Sequence, residues 1–179
     1  LPTLVFLMIP QPPGSTLFPT TAHFRSKPAA VCAPGTVELT TAAVTAGRTG
    51  GGALTYWTNA GATSALASPN TVATSGTYYI QSSLGACKDI KPVTVTINPT
   101  PVLTITNPAA VCAPNTVDLT AGAVTAGSTG GGVLSYWTNA GATSALASPN
   151  AVTTSGTYYI KSTQVDGCTD ITPLTVTYN

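Results

Sequence analysis

The chain has 179 residues, 43% hydrophobic and only 6% charged, with a formal net charge of +1. Soluble domains usually carry roughly 25% charged residues, so polarity here rests on Thr and Ser, and a near-neutral balance offers no electrostatic footprint for nucleic acid or an anionic membrane. The hydrophobic share, set in patterned runs with Tyr, Trp and Val, is enough to fill a core and argues against a disordered chain.

The chain opens on Leu1–Ile9, an apolar stretch without a starting Met or a basic flank, so it does not read as a secretory signal. Nine residues are too few to span a bilayer as a helix. Leu4, Val5, Phe6, Leu7, Met8 and Ile9 instead read as a β-prone strand with no gatekeeping charge. Such a strand needs a cover. The expectation is that it contacts a neighbouring subunit by strand addition, with folding back onto its own first domain as the alternative. Gln11–Thr21, with Pro12, Pro13 and Pro19, reads as an extended linker.

From Pro28 the sequence says the same thing twice. Pro28–Asn98 and Pro108–Asn179 are near-copies, offset by 80 residues at Cys32/Cys112 and Trp57/Trp137 and by 81 at Cys87/Cys168. Tyr56–Asn70 is identical to Tyr136–Asn150. The organisation expected is therefore an N-terminal extension (1–27), a first repeat (28–98), a linker with a lead-in strand (99–107) and a second repeat (108–179).

Within each repeat, Val37–Thr40 and Val117–Thr120 alternate apolar and polar, with Val37 and Leu39 inward and Glu38 outward. The glycines 50–52 and 130–132 mark a turn into Leu54–Thr58 and Leu134–Thr138. A loose Ala/Ser/Gly stretch follows, then Thr77–Ser82 and Thr157–Ser162, and last the alternating Val93–Ile97 and Leu174–Tyr178. Six or seven short strands per unit, with turn signals every 8–12 residues, predict an all-β fold of two tandem sandwiches. Trp57, Trp137, Tyr78 and Tyr158 are the expected core aromatics, because large rings dominate small cores.

The four cysteines allow three pairings, and none stands in metal-knuckle spacing. If each repeat folds alone, Cys32–Cys87 and Cys112–Cys168 are the expected bridges, each contributing about 4 kcal/mol by chain entropy; four free thiols are the alternative. Disulfides point to an oxidising, extracellular compartment.

No residue pattern carries catalysis, a cofactor or a metal. His23 is the only histidine and stands apart from any ligand partner. Glu38, Asp89, Asp118, Asp166 and Asp170 show no spacing of a paired acid and base. The segment Gly47–Gly52 lacks the Lys-Ser/Thr ending and following helix of a phosphate loop, and its copy replaces Arg48 by Ser128.

A Trp in a middle strand, Gly76-Thr77-Tyr78-Tyr79-Ile80, and a terminal Pro92–Pro101 together resemble the Ig-like repeats of large secreted and cell-surface proteins, in particular adhesin-like proteins of Bacteroidetes-type bacteria. The resemblance covers both repeats but not residues 1–27. It implies extracellular exposure and a non-enzymatic role. The cysteines depart from the bridge position of antibody domains, lying before the first clear strand and before the last. The function expected is a subunit of an extracellular filament, its partners other copies of itself in head-to-tail array. The alternative is an adhesin module that binds glycans or proteins.

Overall fold

The computed structural model describes residues 27–48 and 50–179. His23 and the strand expected at Leu4–Ile9 lie outside the described residues. The chain forms two tandem all-β sandwich units, and a three-residue 3-10 turn at Gly122–Val124 is the helical element among the described residues.

In the first unit β1 (Val31–Cys32), β2 (Ala53–Trp57), β3 (Gly76–Leu84), β4 (Cys87–Val95) and β5 (Ile97–Asn98) follow in order. β2, β3 and β4 form an antiparallel sheet, and β1 lies parallel to β5. The second unit repeats the sheet with β6 (Val133–Trp137), β7 (Gly156–Thr163) and β8 (Thr169–Val176). Its counterpart of the β1–β5 pair is a parallel bridge between Val111 and Tyr178.

Strand alternation sorts the side chains. Tyr78 faces Val93 and Gly76 faces Val95 across the β3–β4 ladder, so these positions share the inner face with Ile80. Val37, Leu39, Val44, Val72, Ile80, Val93 and Val95 form the first core. The second is built from Val117, Leu119, Val124, Val152, Tyr158, Ile160, Leu174 and Val176, with Leu103 added from the lead-in segment.

The expected strand at Val37–Thr40 is reduced to one bridge, Val37 to Val72, and its copy to Val117 with Val152. The partner segment explains this. Leu39 N donates to the Pro69 carbonyl, but proline has no N–H to return, and Ser68–Thr71 is already a turn. The inward direction of Val37 and Leu39 is nonetheless as the alternation predicts, since both are buried. The last expected strand begins earlier, because β4 and β8 run back to the hairpin turns at Cys87 and Thr169.

The glycine turn before β6 has a steric cause. Gly132 takes φ +123°, and a Cβ there would collide with Ser162 Oγ. That close approach lets the Ser162 hydroxyl donate to the Gly131 carbonyl at 2.9 Å, which satisfies a buried polar group at the strand end.

Candidate functional site

The two ends of each unit differ, and the difference decides where the cysteines go. The hairpin end carries the β3–β4 turn, with Leu84 paired to Cys87. The tail end carries β1 beside β5, with Cys32 in register with Asn98. Nine residues of β4 separate these ends, roughly 30 Å at the rise of a strand. A disulfide needs its Cα atoms within about 7 Å. Cys32 therefore cannot reach Cys87 inside one folded unit.

The structure instead joins Cys32 to Cys168 across the two units, with the Cα atoms 5.5 Å apart. Cys87 and Cys112 are exposed free thiols. The expected intra-repeat pairs Cys32–Cys87 and Cys112–Cys168 are thus replaced by one bridge between repeats. The tail end of the first unit meets the hairpin end of the second, and each unit contributes one cysteine.

The linker holds the other side of this junction. After Asn98-Pro99-Thr100-Pro101, Val102 exchanges backbone hydrogen bonds with Thr129 at 3.0 and 2.9 Å. Leu103 N donates to the Asp170 carboxylate at 2.8 Å, and Thr106 N to the Val124 carbonyl at 2.9 Å. Asn107 Oδ1 accepts from Thr175 N at 2.9 Å. The lead-in segment is thereby stitched to the second unit along its length, with Leu103 in the core and Ile105 packed against it.

Cys168 is presented by a tight loop. Gln164 N donates to the Cys168 carbonyl at 2.9 Å, and Asp166 Oδ1 accepts from Cys168 N at 3.1 Å. Gln164 Nε2 also donates to the Gly130 carbonyl, tying this loop to the glycine turn. A groove lined by Gly130, Gly132, Val133, Thr163, Gln164 and Val165 opens beside it.

The tryptophans lie elsewhere than the expected core. Leu54 and Tyr56 turn inward against the first cluster, so Trp57 points to the opposite face of β2 with Thr55. The indole confirms the side by donating to Thr55 Oγ1 at 3.0 Å, as Trp137 does to Ser135 Oγ at 2.9 Å. Both tryptophans are half-buried. Register places Trp57 beside Tyr79 and Tyr79 beside Pro92, and in the second unit Trp137 beside Tyr159 and Tyr159 beside Pro173. Each sheet thus carries an aromatic row on its outer face. Tyr78 and Tyr158 face the cores, their hydroxyls donating to the Thr74 and Thr154 carbonyls at 3.0 and 3.1 Å.

The charged groups are dispersed. Thr40 Oγ1 donates to Glu38, while Asp118 accepts from the hydroxyl and backbone N–H of Thr120. Those hydrogen bonds, the hydroxyl's foremost, hold the Asp118 carboxyl below its ordinary value. Burial pushes the Tyr56 and Tyr136 phenols up, partly offset at Tyr56 by the Arg48 guanidinium. Lys91 pairs with Asp89 at 3.0 Å. Among the described residues no three His, Cys, Asp or Glu side chains gather as a metal site. Arg48 donates to the Gly52 carbonyl at 2.8 Å inside a turn with Gly47, Gly50 and Gly51 at positive φ.

No protein-family model matches this chain, and no curated protein matches it. Solved structures similar to it include a pair of titin Ig tandem domains (12% identity, TM-score 0.31, covering 71% of this chain and 81% of that one). Another is a five-domain immunoglobulin segment of Sidekick-1 (12%, TM-score 0.34, 71% and 32%). The titin domains Z1Z2 in complex with telethonin are also similar (12%, TM-score 0.27, 71% and 81%).

Proposed function

We propose that this chain is a structural module of an extracellular filament or surface fibre, built from Ig-like units set end to end. The observation that carries the reading is the covalent closure of the junction. The two units are attached once through a proline-bearing linker and again through Cys32–Cys168, which makes a doubly attached two-unit rod. A disulfide belongs to an oxidising compartment, and no helix among the described residues is long and apolar enough to cross a membrane. The disulfide suits the bacterial cell-surface setting that the sequence resembles.

The finer part of the proposal concerns Leu4–Ile9. The second unit takes up the extended segment that precedes it, with Leu103 in its core and Ile105 packed against it. The positions aligned with these in the first repeat are His23 and Arg25, which lack that apolar pair. Val5, Leu7 and Ile9 have the same alternate spacing. We read the segment as a strand donated to a neighbouring subunit, a heterologous contact that propagates into filaments. Deleting residues 1–9 tests this. The truncated chain is expected to lose filaments under negative stain while keeping its far-UV spectrum, and filaments of normal length would refute strand donation.

The outer-face aromatic rows favour a second reading, a glycan-binding module. Trp57 with Tyr79 and Trp137 with Tyr159 offer ring faces of the kind on which sugars stack. On that reading, glycan-array signals fall at least tenfold in Trp57→Ala/Trp137→Ala, whereas the filament reading leaves the wild-type array blank.

A further inference from the structure

The free thiols Cys87 and Cys112 are the two unmatched halves of the junction already closed by Cys32 and Cys168. Cys112 is the copy of Cys32. Each follows a valine held parallel to the last residues of its unit, by Val31 with Ile97 and by Val111 with Tyr178. The backbone after each is locked in the same way. Ala33 N donates to the Asn98 carbonyl and Ala113 N to that of Asn179, while Gly35 N and Asn115 N return to the Cys32 and Cys112 carbonyls. Cys87 is the copy of Cys168. It stands opposite Leu84 at the hairpin turn, as Cys168 is held opposite Gln164.

These positions put Cys87 at the free hairpin end of the first unit and Cys112 at the free tail end of the second. Being at opposite extremes of the two-unit rod, they are out of reach of each other within one chain. Both are exposed, and Leu84 beside Cys87 is an exposed large hydrophobic residue.

We infer that Cys112 of one chain forms a disulfide with Cys87 of a second copy, repeating between molecules the junction that Cys32 and Cys168 make within one. The occupant of each free end is a second copy because the repeat counterparts of these two ends, the tail end of the first unit and the hairpin end of the second, already meet within the chain. The contact is head-to-tail and leaves one free half at each terminus, so it extends without closing. The chemistry balances with a small-molecule disulfide such as oxidised glutathione as oxidant. The Cys112 thiolate attacks it and releases one glutathione thiolate. The Cys87 thiolate of the next copy then attacks the mixed disulfide and releases the second. Two protein thiols are oxidised by two electrons, the glutathione disulfide is reduced, and the two protons leave on the two glutathione thiols.

This inference rests on the end-to-end reading but not on strand donation. The test is to hold the full chain in a glutathione redox buffer, quench by alkylation and resolve it without reductant. Wild type is expected to give a ladder at multiples of the chain mass that collapses to monomer on reduction, with a Cys87–Cys112 linked peptide by mass spectrometry. Cys87→Ser alone and Cys112→Ser alone are each expected to lose the ladder, and an equimolar mixture of the two to recover the dimer and nothing larger. Because both positions are exposed, serine leaves the fold intact, which circular dichroism verifies. The inference is overturned if wild type stays monomeric with both thiols alkylated. It is equally overturned if either single variant dimerises as fully as the mixture, which would make the oxidation indiscriminate. A ladder without filaments sinks the filament reading alone; filaments in reductant with no linked peptide sink the covalent junction alone.

Discussion

Truncating Leu119 to alanine is expected to destabilise the second unit by about 2–5 kcal/mol, and Leu39→Ala to do the same to the first. Both leucines are fully buried. Each anchors a segment that meets its neighbour through backbone bonds only at intervals, Leu39 N to the Pro69 carbonyl and Leu119 N to that of Pro149, both 2.8 Å. With so sparse a ladder, the segment depends on its two inward side chains, and a cavity left at either is poorly filled by the facing sheet. Urea unfolding followed by indole fluorescence measures the loss, since each unit carries one tryptophan. A change under 1 kcal/mol would remove these leucines from the core.

The second large effect belongs to the bridge. In Cys32→Ser/Cys168→Ser each unit is expected to lose about 2–4 kcal/mol. The bridge acts on whichever unit unfolds. If the first melts, its chain is still pinned at Cys32 and at the linker; if the second melts, it is pinned at the linker and at Cys168. Either way a loop of roughly 65 residues is closed, which the chain-entropy relation values at about 4 kcal/mol. Some of this is offset, because the unbridged native molecule gains hinge freedom at the linker. Chemical denaturation of the double serine variant against wild type gives the difference. Equal midpoints in the two proteins would mean the bridge stabilises neither unit.

Much of the fold is legible in the residues. The alternation at Val37 and Leu39 and at Val93 and Val95 names inward positions, and the duplicated blocks reproduce the same hydrogen bonds, such as Asn59 to Thr63 and Asn139 to Thr143 at 2.6 Å. The aromatic faces were readable by the same rule. Tyr56 and Trp57 are adjacent, so one must face outward, and Leu54 two residues before Tyr56 marks Tyr56 as the inner one. The preference of large rings for cores pulls the other way and misplaces Trp57. The bridge is a different matter. Duplication places cysteines at matching positions whether they pair within a unit or between neighbours, and only the length of β4 shows the first to be out of reach.

The Cys32–Cys168 bond also reroutes mechanical load. Tension applied at the two ends of the described chain enters beside Cys32 and leaves through Asn179. Between them the shortest covalent path crosses the sulfur pair and then follows the final strand, so the 136-residue separation it spans carries no tension. Unshunted, that stretch would pay out roughly 450 Å of contour when pulled straight; with the shortcut, Cys168–Asn179 yields roughly 35 Å. The first unit, and all of the second except its final strand, sit in a slack side loop, so the pull that would otherwise unravel both sets of β-ladders falls on β8 alone.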